Sequence, residues 1–179
     1  VLILSKPLGI GMLSAALKKG QLSDAGYAEM IRWTTLLNTP GTALAAMAGV
    51  HAMTDVTGFG LAGHLLEICR GSGLRAHIGF ARLPLIEEAM RIAQAGIATG
   101  ASARNWAAYG HEVSLAAGLA PWQSNLLTDP QTSGGLLIAC DPADMEAVLE
   151  VLQQAGFDQA GVIGTLDGGP PGIEVVARE

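Results

Sequence analysis

Three short stretches bring together residues whose types and spacing could do chemistry. The first is Thr54-Asp55-Val56-Thr57-Gly58-Phe59-Gly60. An acid among apolar and small residues is costly unless something there needs its charge. An apolar lead-in from Val50 precedes it, and Leu61, Leu65, Ile68 and Cys69 follow at helical spacing. This predicts Asp55 at the carboxyl end of a strand and Thr57 to Gly60 as the turn into a helix. A helix amino terminus offers unpaired N–H groups and partial positive charge, which suit a phosphate. A carboxylate beside such an anion makes sense if a hard cation lies between them. Mg²⁺ takes one or two protein carboxylates and fills its shell with phosphate oxygens and water. Asp55 is therefore a candidate metal ligand, and Thr57, Gly58 and Gly60 are candidate phosphate-binding residues. In the competing reading, Asp55 and Thr57 cap a helix and the glycines only make a tight turn.

The second stretch is Thr128-Asp129-Pro130-Gln131-Thr132-Ser133-Gly134-Gly135, followed by an apolar run. Thr132, Ser133, Gly134 and Gly135 could place hydroxyls and backbone N–H groups around a bound phosphate; an Asp-Pro turn entering a strand is the alternative. The third is Gly100-Ala101-Ser102-Ala103-Arg104-Asn105. Arg104 could clamp phosphate, or it is an ordinary surface arginine. His51, His64, His77 and His111 show no metal-ligand spacing, and His64 is as readily a packed polar residue. Neither a pair of carboxylates for acid–base work nor a nucleophile with its base stands out.

The elements that must position these residues follow from periodicity. Strands are expected at 1–4, 50–54, 74–80, 135–140, 162–166 and 173–176, the last two joined as a hairpin across Gly168-Gly169-Pro170-Pro171. Helices are expected at 12–19, 24–37, 42–48, from Gly60 to Gly71 or Gly73, and at 84–95. The helix at 24–37 carries apolar residues on two faces, which implies burial on both. Residues 97–122 read as loop with short helices, and Asp141-Pro142 as the capped start of another helix. Interleaved strands and helices make an α+β fold, a mixed sheet layered with helices.

Half of the 179 residues are hydrophobic and only 15% are charged, which excludes a disordered chain. The net charge of −6, without a basic cluster, argues against nucleic-acid binding. No apolar run is long enough to span a bilayer. Cys69 and Cys140 sit inside apolar patterns, as expected of buried thiols in a reduced, cytoplasmic protein. The chain opens within a strand pattern without an initiator Met, the expectation for a piece of something longer.

Thr54 to Leu61 with Gly63-His64, and Asp129 to Leu137, resemble two signatures of the selenophosphate synthetase (selenide, water dikinase) family. Leu4-Ser5-Lys6-Pro7-Leu8-Gly9 resembles the entry to that family's C-terminal half, and Gly100 to Asn105 with Tyr109-Gly110-His111 a fourth segment. The four occur in the family's order. The resemblance implies one C-terminal domain over 1–179, with the fold of aminoimidazole ribonucleotide synthetase, and an absent N-terminal half carrying the reactive Cys or selenocysteine and its partner Lys. It implies formation of selenophosphate, AMP and phosphate from ATP, selenide and water, with Mg²⁺ held partly by Asp55, by an enzyme that is a homodimer when intact. Alone, this piece would be inactive. Neither Cys69 nor Cys140 matches the family nucleophile. Ala101-Ser102 replaces a more usual Gly-Thr, and Asn38-Thr39-Pro40-Gly41 interrupts a more continuous helical pattern. Same-fold relatives (aminoimidazole ribonucleotide synthetase, thiamine-monophosphate kinase, hydrogenase-maturation protein) and a free-standing binding domain are the alternatives.

Overall fold

Two of the most apolar runs in the chain become strands buried at every position. In the computed structural model, which describes residues 1–177, these are β1 (Leu2–Leu4) and β5 (Leu136–Cys140). Their alternate residues serve different cores. Leu2, Leu4, Leu137 and Ala139 join a large cluster on one face, while Ile3, Leu136, Ile138 and Cys140 join a smaller one on the other. Strands covered on both faces need continuous apolar sequence, and these have it.

The remaining strands are β2 (Val50–Asp55), β3 (Leu74–Gly79), β4 (Val113–Leu115), β6 (Gly161–Gly168) and β7 (Gly172–Val176). One sheet holds all seven in the order β2-β5-β1-β6-β3-β7-β4. The first five of these strands pair antiparallel, and β7 lies parallel to both β3 and β4. The helices are α1 (Ile10–Lys18), α2 (Asp24–Thr35), α3 (Gly41–Leu44), α4 (Gly60–Ser72), α5 (Glu87–Gln94), α6 (Gly100–Tyr109), α7 (Pro121–Leu127) and α8 (Met145–Gln154). Helix α4 lays Leu61, Leu65, Ile68 and Cys69 on the large cluster and ends at Gly73, whose φ of 70° is the left-handed cap glycine tolerates. Leu44 of α3, Val148 and Leu152 of α8, and Phe157 cover the other face. The expected α+β architecture, a mixed sheet layered with helices, is what forms. Both cysteines are buried and free, one in each cluster. Among the described residues, no helix is long and apolar enough to cross a membrane.

Four expectations need correction. β6 and β7 are not a hairpin, because β3 lies between them. The Gly168–Pro171 link must therefore step over one strand, about 10 Å, rather than turn back tightly. Helix α2 does not bury two faces: Gly26, Met30 and Trp33 are its buried residues, while Tyr27, Ile31 and, just past its end, Leu37 (67%) are exposed. It rides outside α1, so only one stripe meets the core. Residues 97–122 hold the expected short helices, among them α6, capped by the Thr99 hydroxyl, which accepts from Ser102 N–H at 3.0 Å, but they also contain an unexpected strand, β4. Asp141 holds the cap position with Pro142 next to it, as expected, but its side chain makes no cap bond and the element it opens is not the α-helix itself. A 3₁₀ turn at Pro142–Asp144 precedes α8, and Asp141 instead meets His51 at 3.0 Å.

One buried cation holds the end of β1. Lys6 is 1% exposed, and its Nζ donates to the carbonyls of Trp33 (3.1 Å), Leu36 (2.6 Å) and Ser133 (2.7 Å). The first two belong to the end of α2, where carbonyls lack helical partners. Burial pushes the Lys6 amine down to about 8, still cationic at neutral pH. Lys6→Met keeps the stem and removes all three donors. It should lower stability by about 2–4 kcal/mol, because the carbonyls lose their partner. Urea denaturation of both proteins measures this, and an unchanged midpoint would show the clamp to be dispensable.

Candidate functional site

The carboxyl end of β2 delivers Asp55 to the surface. Asp55 pairs in register with Leu136, Val56 N–H donates to Gly135 O at 2.9 Å, and Gln131 N–H donates to Thr57 O at 3.0 Å. Residues 55–57 and 131–136 thus run side by side, so the structure brings the first two candidate stretches together. Val56 is fully buried between the exposed Asp55 and the half-buried Thr57.

Helix α4 begins without a side-chain cap. Phe59 occupies the cap position, and neither the Asp55 nor the Thr57 side chain bonds the helix amino end, although the Thr57 carbonyl accepts from Gly60 N–H at 3.0 Å. The reading in which these two side chains cap α4 is therefore not what forms. Thr57 Oγ1 lies 3.0 Å from His64 Nε2, and His64 Nδ1 lies 3.0 Å from Glu67 Oε2. Phe59 is 56% exposed, with its ring 5.9 Å from that of His64, and its carbonyl accepts from the Tyr109 hydroxyl.

The glycines divide by what surrounds them. A Cβ on Gly60, whose φ is +70°, would lie 2.7–2.8 Å from the Thr128 backbone. One on Gly134 would strike Val56 O, and one on Gly135 would lie 2.5 Å from Lys6 N. Contact between loops thus requires glycine at these three positions. Gly58 alone among the four has open space around it.

Thr132, Ser133 and Arg104 are exposed. Ser133 has φ +48° and turns its carbonyl inward to Lys6. Arg104 projects from α6 beside Asn105, whose amide donates to Gly58 O (2.9 Å) and Thr128 O (3.0 Å). Asn105 therefore ties the third stretch to the other two, a role not foreseen from the sequence. Gln131 and Asp129 are the other residues missed. Gln131 Oε1 accepts from Gly9 and Ile10 N–H, and Asp129 Oδ2 accepts from Met12 N–H, each at 3.2 Å. Both close the amino end of α1 from across the chain. Asn38, in the interrupted helical pattern, donates to Gly134 O at 2.8 Å. Only Glu67 had a readable signal: it sits three residues after His64, on the same helical face.

Among the described residues, no three His, Cys, Asp or Glu side chains are grouped to hold a metal. Asp55 supplies a single exposed hard-oxygen ligand, which fits Mg²⁺ only where phosphates and further ligands complete the shell.

Comparison with known proteins gives this geometry a lineage. The family model described as "AIR synthase related protein, C-terminal domain" matches residues 1–176. The chain belongs to this family. This AIR synthase related domain is 56% identical over 175 residues, 98% of its length, to a selenide, water dikinase of Dechloromonas aromatica. It spans about half the length of the curated relatives it matches, 50% in that case. Its fold is that of the hydrogenase maturation protein HypE of E. coli (TM-score 0.68, 19% identity, 98% of this chain and 45% of that one). A HypE structure in complex with ATP is likewise similar (TM-score 0.62, 18% identity, 98% and 46%).

Asp129 is fully buried, and its Oδ1 has no hydrogen-bond partner. Burial pushes its carboxyl from 3.8 up to about 7, against the N–H groups and the Gln131 amide that favour the charge. Between those two values the folded domain holds a proton that the unfolded chain has released. The stability from this group is therefore complete below about pH 4 and is lost as pH rises through about 7. Asp129→Asn keeps an acceptor for Met12 and cannot ionise. Relative to wild type, the variant should gain stability from about pH 5 to about pH 8. Denaturation midpoints at both pH values check this, and a constant difference would refute it.

Proposed function

We propose that this domain is the C-terminal part, over residues 1–179, of a selenide, water dikinase. Such an enzyme makes selenophosphate, AMP and phosphate from ATP, selenide and water. The observation that carries the reading at the site is the exposed, non-capping Asp55 carboxylate beside the uncapped amino end of α4. An acid left free at that place is suited to a hard cation, with phosphate beside it at the helix end. Identity of 56% to a named selenide, water dikinase, against 18–19% to the HypE structures, favours the selenium enzyme over other bearers of the fold.

In this reading Asp55 contributes one ligand to Mg²⁺, and bound Mg²⁺ offsets charge on the transferring phosphates. Gly58, with open space around it, lets phosphate approach the turn, and Arg104, exposed on α6, is the residue we assign to meet phosphate. The open site surface, with Gly58, Phe59, Thr132, Ser133 and Arg104 all exposed, suits a domain that forms one wall of an active site. The missing N-terminal half supplies the other wall, the nucleophile and the remaining metal ligands. We place the intact enzyme in the cytoplasm as a homodimer; the two buried, unpaired thiols suit a reducing compartment.

The domain alone should form no AMP from ATP and selenide; measurable selenide-dependent AMP formation by it would end this reading. In the enzyme reconstituted with its N-terminal half, Asp55→Asn keeps shape and removes charge. Turnover across a magnesium titration should fall on the order of 10²-fold, with little change in the thermal melt. Wild-type turnover at every magnesium concentration would remove Asp55 from the site.

A further inference from the structure

We propose that His64, held by Glu67, aims the Thr57 hydroxyl so that its lone pairs, rather than its proton, face outward beside Asp55. Thr57 then serves a hard cation instead of a phosphate oxygen. The ligand class rests on the proposed function of Asp55; the hydrogen-bond direction does not.

The direction follows from what each group can do. A carboxylate only accepts, so the contact between Glu67 Oε2 and His64 Nδ1 requires a proton on Nδ1. In the neutral imidazole, Nε2 is then bare and accepts. Its neighbour at 3.0 Å is Thr57 Oγ1, so the threonine hydroxyl donates inward. A hydroxyl has one proton and two lone pairs. With the proton committed to His64, only acceptor capacity remains, and a phosphate oxygen, itself an acceptor, gains nothing from it. A cation does.

The packing keeps this arrangement in place. His64 is 7% exposed, and Glu67 sits one helical turn along α4 with its side chain 52% exposed. Phe59 lies against the imidazole, and its carbonyl is held by Tyr109. Gly63 leaves room for this brace, since a Cβ there would press on Phe59 and Tyr109. Thr57 is two residues past Asp55, with fully buried Val56 between the exposed acid and the half-buried threonine. Asp55 and Thr57 together then present oxygen acceptors only. His64 and Glu67 are positioning residues that act through Thr57.

The test reads the proton directly. Long-range ¹H–¹⁵N spectra of the ¹⁵N-histidine-labelled domain should show His64 protonated at Nδ1 and bare at Nε2. This is the less common tautomer of free histidine. An Nε2–H tautomer overturns the proposal and leaves the function of Asp55 untouched. Glu67→Ala, at a half-exposed position, should fold and lose the fixed tautomer; an unchanged tautomer overturns the role of Glu67. In the enzyme reconstituted with its N-terminal half and a non-hydrolysable ATP analogue, Mn²⁺, a paramagnetic stand-in for Mg²⁺, should broaden the Thr57 and Asp55 signals, and inorganic phosphate alone should leave the Thr57 hydroxyl contact unaltered. Thr57→Val should weaken the Mn²⁺ effect several-fold and Thr57→Ser should restore it. Equal broadening in Thr57→Val, but not in Asp55→Asn, overturns Thr57 as a ligand while Asp55 stands. No Mn²⁺ effect in wild type overturns the cation assignment of both.

Discussion

The Lys6 ammonium lies where water does not reach, and its three protons go to the carbonyls of Trp33, Leu36 and Ser133. A buried charge without such partners costs several kcal/mol, so those carbonyls are held in place as firmly as the charge itself. The end of α2 and the loop at 133 are thereby fixed to the end of β1. That loop leads to Gln131 and Asp129, which close the amino end of α1, and it runs beside Asp55 to Thr57. Much of what faces solvent at the site therefore stands on one cation that never touches solvent.

Below the surface, polar side chains do the joining. Asn38, Asn105 and Gln131 each spend an amide on the backbone of another loop. Loops without regular hydrogen bonding leave backbone groups that must find partners when buried, and amides can supply both donor and acceptor. Three glycines complete the arrangement by letting backbones come within contact of one another. The outward-facing set is small by comparison: Asp55, Thr57, Gly58, Arg104 and the 132–133 turn.

The parts of the fold that local pattern controls were legible in the sequence. The apolar runs of β1 and β5 announced strands, and the 3.6-residue stripe of α4 announced the helix behind Asp55. The pairing partner of β7 was not legible, because strand neighbours across a sheet are chosen by packing over the whole molecule. The outer face of α2 misled for a related reason, since its Tyr27 and Ile31 look like core residues but lie outside α1. At the site, spacing located Asp55 at the end of its strand. It could not reveal that Lys6, Asn38 and Asp129 converge, because the residues they meet lie far away in sequence. The i,i+3 relation of His64 and Glu67 was visible all along, but without Thr57 folded back onto the helix it carried no meaning.

The placement of β7 bears on how the chain reaches this state. Both β1 and β7 are interior strands, flanked on each side, and β4 hangs on β7 alone. A nascent chain emerging from the ribosome can form α4 and its neighbours early, but its sheet stays incomplete until residues 172–176 have been synthesised. Pairings between strands more than 130 residues apart, such as β1 with β5, are slow to close. During that interval the apolar edges of β3 and β1 are open to other chains, so yield during expression should depend on chaperone supply and temperature more than final stability would suggest.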